Sequence, residues 1–139
     1  MSQPVPPASS LTDTSLFSAY ARVAAARGAA PALVDGDDTT HSHAALVELA
    51  GRFAAWLRRA GVAPGERVVV QVEKSVGAVA LYLGCQQAGA VFVPLNTAYT
   101  DAEVGYFLND CTPALFVHAP GRTALWPASV ALGASPLAD

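Results

Sequence analysis

The spacing of apolar residues predicts two amphipathic helices and a hairpin in the first half of the chain. Apolar positions three and four apart fall on one side of a helix over residues 13–27, and again over residues 43–60, where Ser42 supplies an N-cap. Between these helices, short runs at 32–34 and 39–41 flank a turn rich in Asp and Gly, a pattern typical of a β-hairpin.

The central part of the sequence predicts a parallel sheet. Residues 67–72 form a run dominated by β-branched side chains, which suits a strand covered on both faces. Ser75 is a candidate N-cap for a helix over residues 76–88 that is apolar nearly all round, and a further strand follows at 91–93. A strand, a helix and a strand in this order form a βαβ unit, for which a right-handed crossover is expected.

A third parallel strand is predicted after one more helix. Thr100 and Glu103 have the spacing of a capping box, so a helix begins there, and residues 115–117 resume the apolar strand pattern. The fold class is therefore α/β, with a layered, mostly parallel sheet and flanking helices. Weak patterning at both ends divides the chain into a flexible leader at 1–12, a folded part at 13–119 and a weakly structured tail at 120–139.

Composition and charge exclude several classes of protein. Apolar residues make up 53% of the 139 residues and charged residues 14%, so disorder driven by charge is not expected. The net charge of −3 provides no basic surface for nucleic acid or an anionic membrane. No apolar run reaches the length of a membrane span, and the Pro- and Ser-rich start does not resemble a signal peptide, so a cytoplasmic location is expected.

The cysteines and histidines have structural explanations. Cys85 and Cys111 lie in apolar helical stretches, and we expect both thiols to be buried and unreactive. His41 and His43 are two residues apart and would share one face of a strand, but no third ligand accompanies them. We therefore expect solvated or hydrogen-bonded histidines and no metal site.

The turn after the first parallel strand is where an α/β domain often binds a nucleotide. Residues 73–77 contain neither a G-x-G-x-x-G pattern nor a Gly-Lys-Ser/Thr loop, and Gly77 and Gly84 are interpreted as allowing close packing of their helix on the sheet. Lys74 could contact an anion at the helix N-terminus, but a solvated lysine is favoured. The carboxylates, including Asp35, have turn or cap roles and no implied His or Lys partner. The sequence predicts no catalytic, cofactor-binding or metal-binding residue.

Three segments together resemble AMP-forming acyl-CoA synthetases, members of the adenylate-forming superfamily that includes luciferases and peptide-synthetase adenylation domains. Residues 40–46 (THSHAAL) are similar to the first core motif, residues 61–68 (GVAPGERV) to a Gly-Val-x-x-Gly-Asp-x-Val turn, and residues 88–96 (AGAVFVPLN) to the second core motif. Residues 70–75 and 94–100 resemble the malonyl-CoA and methylmalonyl-CoA synthetase branch. The departures are His41 for an aromatic residue, Ala45 for Glu and Glu66 for Asp.

The resemblance implies a fold and a reaction for the whole enzyme. Residues 13–119 would be the opening part of the N-terminal domain. A small carboxylic acid would attack the α-phosphate of MgATP to give an acyl-adenylate and pyrophosphate, and the CoA thiolate would then displace AMP to form a thioester. ATP, Mg²⁺, CoA and the acid are thus partners of the full-length family. The phosphate loop, the acyl pocket and the catalytic lysine of that family have no counterpart in this sequence, so no cofactor binding or activity is expected of the 139 residues alone.

Two other interpretations stay open. The chain could be a non-catalytic interaction module that pairs with a longer synthetase, or part of a peptide-synthetase adenylation domain. Exposed sheet edges could also lead to self-association, and we expect a marginally stable or aggregation-prone fold.

Overall fold

The computed structural model describes residues 15–122 and 125–133. Within these ranges it contains four helices and six strands. In chain order they are α1 (Leu16–Ala26), β1 (Pro31–Val34), β2 (Thr40–Ser42), α2 (His43–Arg59), β3 (Arg67–Gln71), α3 (Val76–Ala88), β4 (Val91–Pro94), α4 (Asp101–Cys111), β5 (Leu115–His118) and β6 (Ser129–Ala131).

The main sheet is parallel and has the strand order β4-β3-β5-β6. Strand β3 is central: Val69 pairs with Val93 of β4 on one side and with Phe116 of β5 on the other. Strands β1 and β2 form the predicted antiparallel hairpin as a separate two-stranded sheet. The predicted α/β class with a layered, mostly parallel sheet is confirmed.

Three of the four helices described begin where the sequence places their caps, whereas α1, predicted over residues 13–27, begins at Leu16 after an N-cap at Ser15. The hydroxyl of Ser42 accepts a hydrogen bond from the Ala45 amide, and Ser75 does the same at the start of α3. Both halves of the predicted capping box are present at Thr100 and Glu103. These bonds satisfy amide groups that have no partner within the helix, so they fix the start of each helix locally.

The alternation of side chains along β3 separates two apolar clusters. Val68 and Val70 pack with the buried faces of α2 and α3, whereas Val69 packs with α4. The sheet is therefore covered on both faces, as its β-branched sequence predicts.

Gly84 makes a close helix–helix contact, which corrects the predicted helix–sheet contact. A Cβ atom at this position would lie 2.7 Å from the Cβ of Phe53 and 2.9 Å from the carbonyl oxygen of Ala50, both in α2. At Gly77, by contrast, the nearest atoms to such a Cβ are at ordinary contact distances of 3.7 and 3.9 Å. Gly84 thus allows α3 to approach its neighbouring helix, and Gly77 has no equivalent role.

The chain adds a strand where the sequence predicts a weakly structured tail. Strand β6 pairs in parallel with β5, and Trp126 just before it donates its indole N–H to the carbonyl oxygen of Pro113 at 3.0 Å. The expectation of weak structure is wrong for Ser129–Ala131. Three residues are too few to show the alternation of a strand in the sequence, and their pairing with β5 depends on the tertiary fold. The predicted leader at 1–12 and residues 134–139 lie outside the described ranges.

Candidate functional site

The carboxyl edge of the main sheet is the place where its topology favours binding. From β3 the chain crosses through α3 to β4, whereas from β5 it continues away from β3 to β6. The connections therefore diverge between the ends of β3 and β5. Such a switch point forms a crevice at which open α/β sheets commonly bind ligands.

Gln71 and His118 meet at this switch point. They are register partners at the ends of β3 and β5, and they are the two buried polar residues in the described part of the chain, with exposures of 1% and 7%. The Gln71 amide donates from Nε2 to the carbonyl oxygen of Asn96 at 2.9 Å, while its Oε1 has no hydrogen-bond partner. His118 Nδ1 lies 2.9 Å from the Ala119 carbonyl oxygen, which can only accept, so Nδ1 carries the hydrogen. In this tautomer Nε2 is the acceptor nitrogen of the ring.

A cavity of about 660 Å³ opens at the same edge. It is lined by residues 72–74 after β3 and 94–97 at the end of β4, including the exposed Lys74. The side chain of Asn96 is engaged locally, because Oδ1 accepts the Ala98 amide at 2.9 Å. Besides Gln71 and His118, the edge offers one cation (Lys74), one carboxylate (Glu73), the hydroxyl of Thr97 and backbone groups. Its chemistry is positioning by charge and hydrogen bonds.

Arg122 makes hydrogen bonds that connect it to the loop following β4 and to the start of α4. Its Nη2 donates to Asp101 Oδ1 at 2.7 Å and to the Tyr99 carbonyl oxygen at 3.4 Å. Tyr99 in turn stacks on Phe107 of α4, with ring centroids 5.4 Å apart. Sequence reasoning missed Arg122, because its partners are more than twenty residues away and no local pattern marks the contact.

Asp35 has a histidine partner that the sequence does not imply. His41 Nε2 donates to Asp35 Oδ2 at 2.9 Å, and Asp35 Oδ1 accepts the amides of Asp37 and Thr39 at 2.9 Å each. The hydrogen bond from His41, followed by that from Thr39, lowers the pKa of Asp35 below 3.8. The pair closes the β1–β2 turn, so the expectation that this carboxylate has no His partner is wrong.

His41 and His43 form hydrogen bonds with different partners. His43 lies at the start of α2, and its Nδ1 hydrogen-bonds the Tyr20 hydroxyl at 2.9 Å. Burial raises the pKa of Tyr20. Within the described ranges, no cluster of three His, Cys, Asp or Glu side chains is arranged to hold a metal ion.

The cysteines differ in exposure. Cys85 is fully buried in α3, and burial raises the pKa of its thiol to about 12, as expected of an unreactive core residue. Cys111, at the end of α4, is only half-buried, which corrects the expectation that both thiols are buried.

The sequence and the fold match a known family. The model of the family of AMP-binding enzymes matches residues 20–135. The medium-chain fatty-acid–CoA ligase of Escherichia coli is 31% identical over 104 residues, which is 75% of this chain and 18% of that ligase. The probable non-canonical nonribosomal peptide synthetase CymA of Salinispora arenicola is 36% identical over 87 residues, 63% of this chain and 1% of that protein.

A solved structure shows the same relationship. MatB of Rhodopseudomonas palustris superposes with a TM-score of 0.64 and 44% identity, over 66% of this chain and 18% of MatB. The chain thus spans about a fifth of the length of the ligases it matches. Its parallel four-stranded sheet with flanking helices matches the N-terminal part of the adenylate-forming fold. None of the helices in the described ranges combines the length and apolarity needed to cross a bilayer. By sequence and by fold, the chain belongs to the AMP-binding, adenylate-forming enzyme family.

Proposed function

We propose that this chain provides part of the scaffold of an ATP-dependent, AMP-forming acyl-CoA ligase whose acid is malonate or a close homologue. The observation that carries the proposal is the 44% identity with MatB, a malonyl-CoA synthetase. Residues 70–75 and 94–100, which resemble the malonyl-CoA synthetase branch, also meet in the fold. Parts of both segments line the cavity at the carboxyl edge of the sheet.

The proposed reaction has two steps. A carboxylate oxygen of the acid attacks the α-phosphorus of ATP and expels pyrophosphate, and the thiolate of CoA then attacks the acyl carbon and expels AMP. Both steps depend on charge stabilisation around phosphate groups. The described residues lack a phosphate loop, so we assign this chain the framework rather than the reacting groups. Since ATP and CoA are cosubstrates, we place the reaction in the cytoplasm.

The first test is the activity of the 139 residues alone. The purified chain is expected to release no pyrophosphate from MgATP in the presence of malonate and CoA. Turnover by this chain would contradict the assignment of a scaffold role.

The second test is compatibility with a malonate-activating host. In a chimera, this chain replaces the matching segment of MatB, and malonate-dependent ATP–pyrophosphate exchange is measured. We expect exchange to be retained, since this chain superposes on MatB with a TM-score of 0.64 and 44% identity over the matched residues. A soluble chimera without exchange activity would argue against the proposed function.

A peptide-synthetase adenylation domain is the second candidate, favoured by the 36% identity with CymA. A second chimera, in which this chain replaces the matching segment of the CymA adenylation domain, distinguishes the two candidate functions. Retained amino-acid-dependent exchange in that host, together with loss of activity in the MatB host, would favour the second candidate.

A further inference from the structure

A circuit of hydrogen bonds runs around the carboxyl edge of the main sheet. The carbonyl oxygen of Asn96 accepts the side-chain amide of Gln71 at 2.9 Å and the backbone amide of Tyr99 at 3.1 Å. The carbonyl oxygen of Tyr99 in turn accepts Nη2 of Arg122 at 3.4 Å. The loop between β4 and α4 is thus held near both of its ends, by a side chain of β3 and by one that follows β5.

Strand pairing and the turn after β5 close this circuit. The carbonyl oxygen of Ala119 accepts Nδ1 of His118 at 2.9 Å and the backbone amide of Arg122 at 3.4 Å. His118 is the register partner of Gln71, with which the circuit begins. Because neighbouring strands lie about 4.8 Å apart and register partners project from the same face, these two side chains are within reach of one bridging molecule.

Buried polar atoms of this circuit lack partners among the described residues. They are Oε1 of Gln71, which accepts, and Nε of Arg122, which donates, and they are the two such side-chain atoms in the described part of the chain. A third atom, Nε2 of His118, is the acceptor nitrogen of a ring that is only 7% exposed. Since an unpaired buried donor or acceptor costs the free energy of its desolvation, these atoms require a partner.

The hydrogen-bonding capacity of one water molecule matches these three atoms. Water can donate one hydrogen to Gln71 Oε1 and the other to His118 Nε2, and its oxygen can accept the N–H of Arg122. Buried waters in proteins typically make about three hydrogen bonds. An ionised carboxylate or phosphate group has no hydrogen to donate to the two acceptors, and an ammonium group cannot accept from the arginine. The three atoms together therefore select a neutral water molecule over the charged groups of a substrate.

We propose that the carboxyl edge binds one internal water molecule, held by Gln71 Oε1, His118 Nε2 and Arg122 Nε. This internal water site goes beyond the ligase role proposed above and does not depend on it. The water joins the end of β3, the end of β5 and the turn that follows into one polar network. The same network holds the loop between β4 and α4, whose residues 95–97 line the cavity at this edge. The water thus helps to fix one wall of that cavity.

The test is NMR spectroscopy of the isotope-labelled 139-residue chain, which detects dipolar contacts between held water and nearby protons. We expect water cross-peaks at the side-chain amide of Gln71 and at Hε1 of His118, and their sign in rotating-frame spectra separates them from chemical exchange. Gln87 is the matched control within the same spectrum. Its side chain is exposed and should show only the brief contacts of surface water.

A pair of variants tests the contribution of the arginine. Arg122→Lys removes Nε but keeps a cation for Asp101, so both water cross-peaks should be lost. Arg67→Lys is the matched control, because Arg67 is an exposed arginine outside the circuit, and the cross-peaks of Gln71 and His118 should remain.

A further variant keeps the test decisive if Arg122→Lys does not fold. Gln71→Met removes the acceptor with a side chain of similar length, and the water cross-peak at His118 should disappear. An undiminished cross-peak at His118 in Gln71→Met would overturn the inference. The absence of water cross-peaks in the wild-type chain, or cross-peaks of equal intensity in Arg122→Lys and Arg67→Lys, would overturn it as well.

Discussion

Gly84 of α3 and Phe53 of α2 touch at a point where the two helix backbones leave no room for a side chain. A Cβ at position 84 would lie 2.7 Å from the Phe53 Cβ, 2.9 Å from the Ala50 carbonyl oxygen and 3.1 Å from the Ala54 amide nitrogen. Two of these three atoms belong to the backbone of α2, so the contact cannot be relieved by rotating a side chain. The whole helix pair would have to separate.

Gly84→Ala is therefore expected to destabilise the fold. Overpacking of this kind typically costs about 1–3 kcal/mol, and the gain in helix propensity offsets less than that. Gly105→Ala in α4 is the matched control, because a Cβ there meets nothing within 4 Å, and it should stabilise by about 0.5–1 kcal/mol. Urea unfolding of both variants measures the difference. A Gly84→Ala variant as stable as Gly105→Ala would contradict the close helix contact.

The pairing of Asp35 with His41 predicts a dependence of stability on acid pH. The hydrogen bonds in the hairpin lower the pKa of Asp35 from 3.8, so the folded state binds this proton less readily than the unfolded state does. The stabilisation is fully present above pH 3.8 and is lost as the pH falls through the lowered value.

The measurement is the unfolding midpoint between neutral and acid pH for wild type and Asp35→Asn. At neutral pH the wild type should be the more stable, and the difference should shrink as the pH falls below 3.8. Thr39→Ala, which keeps the backbone amide that bonds Asp35, is the control and should titrate like the wild type. A constant difference between wild type and Asp35→Asn over the whole range would show that the carboxylate is not stabilised by this pairing.

The helix caps and the main strands could be predicted, because neighbouring residues in the sequence specify them. Contacts between distant residues could not be predicted in this way. Ser42, Ser75 and the capping box are read from neighbouring residues, and the β-branched run of β3 reflects burial on both faces. Strand β6 leaves no such signal, because its three residues become a strand only by pairing with β5.

In the candidate site, too, local features could be predicted from the sequence and contacts between distant residues could not. The segments that line the carboxyl edge could be found from the sequence, since each follows a recognisable strand. The partners of Arg122 and the pairing of Gln71 with His118 depend on the approach of distant elements. The histidine partner of Asp35 is only six residues away, but it lies across a turn whose geometry the sequence pattern does not specify.

The two cysteines should differ sharply in reactivity. Cys85 is fully buried, and its thiol pKa of about 12 leaves almost no thiolate at neutral pH, whereas Cys111 is half-buried at a helix end. Iodoacetamide at pH 8 should label Cys111 in the native protein, and should label Cys85 only in denaturant. Mass spectrometry of the peptides identifies the site, and Cys111→Ser provides the control with no native labelling. Native labelling of Cys85 at the rate of Cys111 would be inconsistent with its burial.

Thr112 ends α4 in a backbone conformation that is unfavourable for its side chain. Its φ of 43° and ψ of 59° lie in the left-handed region, which β-branched residues rarely adopt, and its amide still closes the helix by donating to the Leu108 carbonyl oxygen. Asn tolerates this region better than Thr, so Thr112→Asn should stabilise the fold by about 1 kcal/mol without changing the hydrogen bond.

Asp38 provides the comparison for this substitution. It also has a positive φ, of 58°, but Asp already tolerates the left-handed region, so Asp38→Asn should change stability much less than Thr112→Asn does. Urea unfolding at neutral pH measures both. If Thr112→Asn proved no more stable than the wild type, the threonine would not strain the end of α4. The packing of the buried Pro113 that follows would then have to stabilise the left-handed conformation of Thr112.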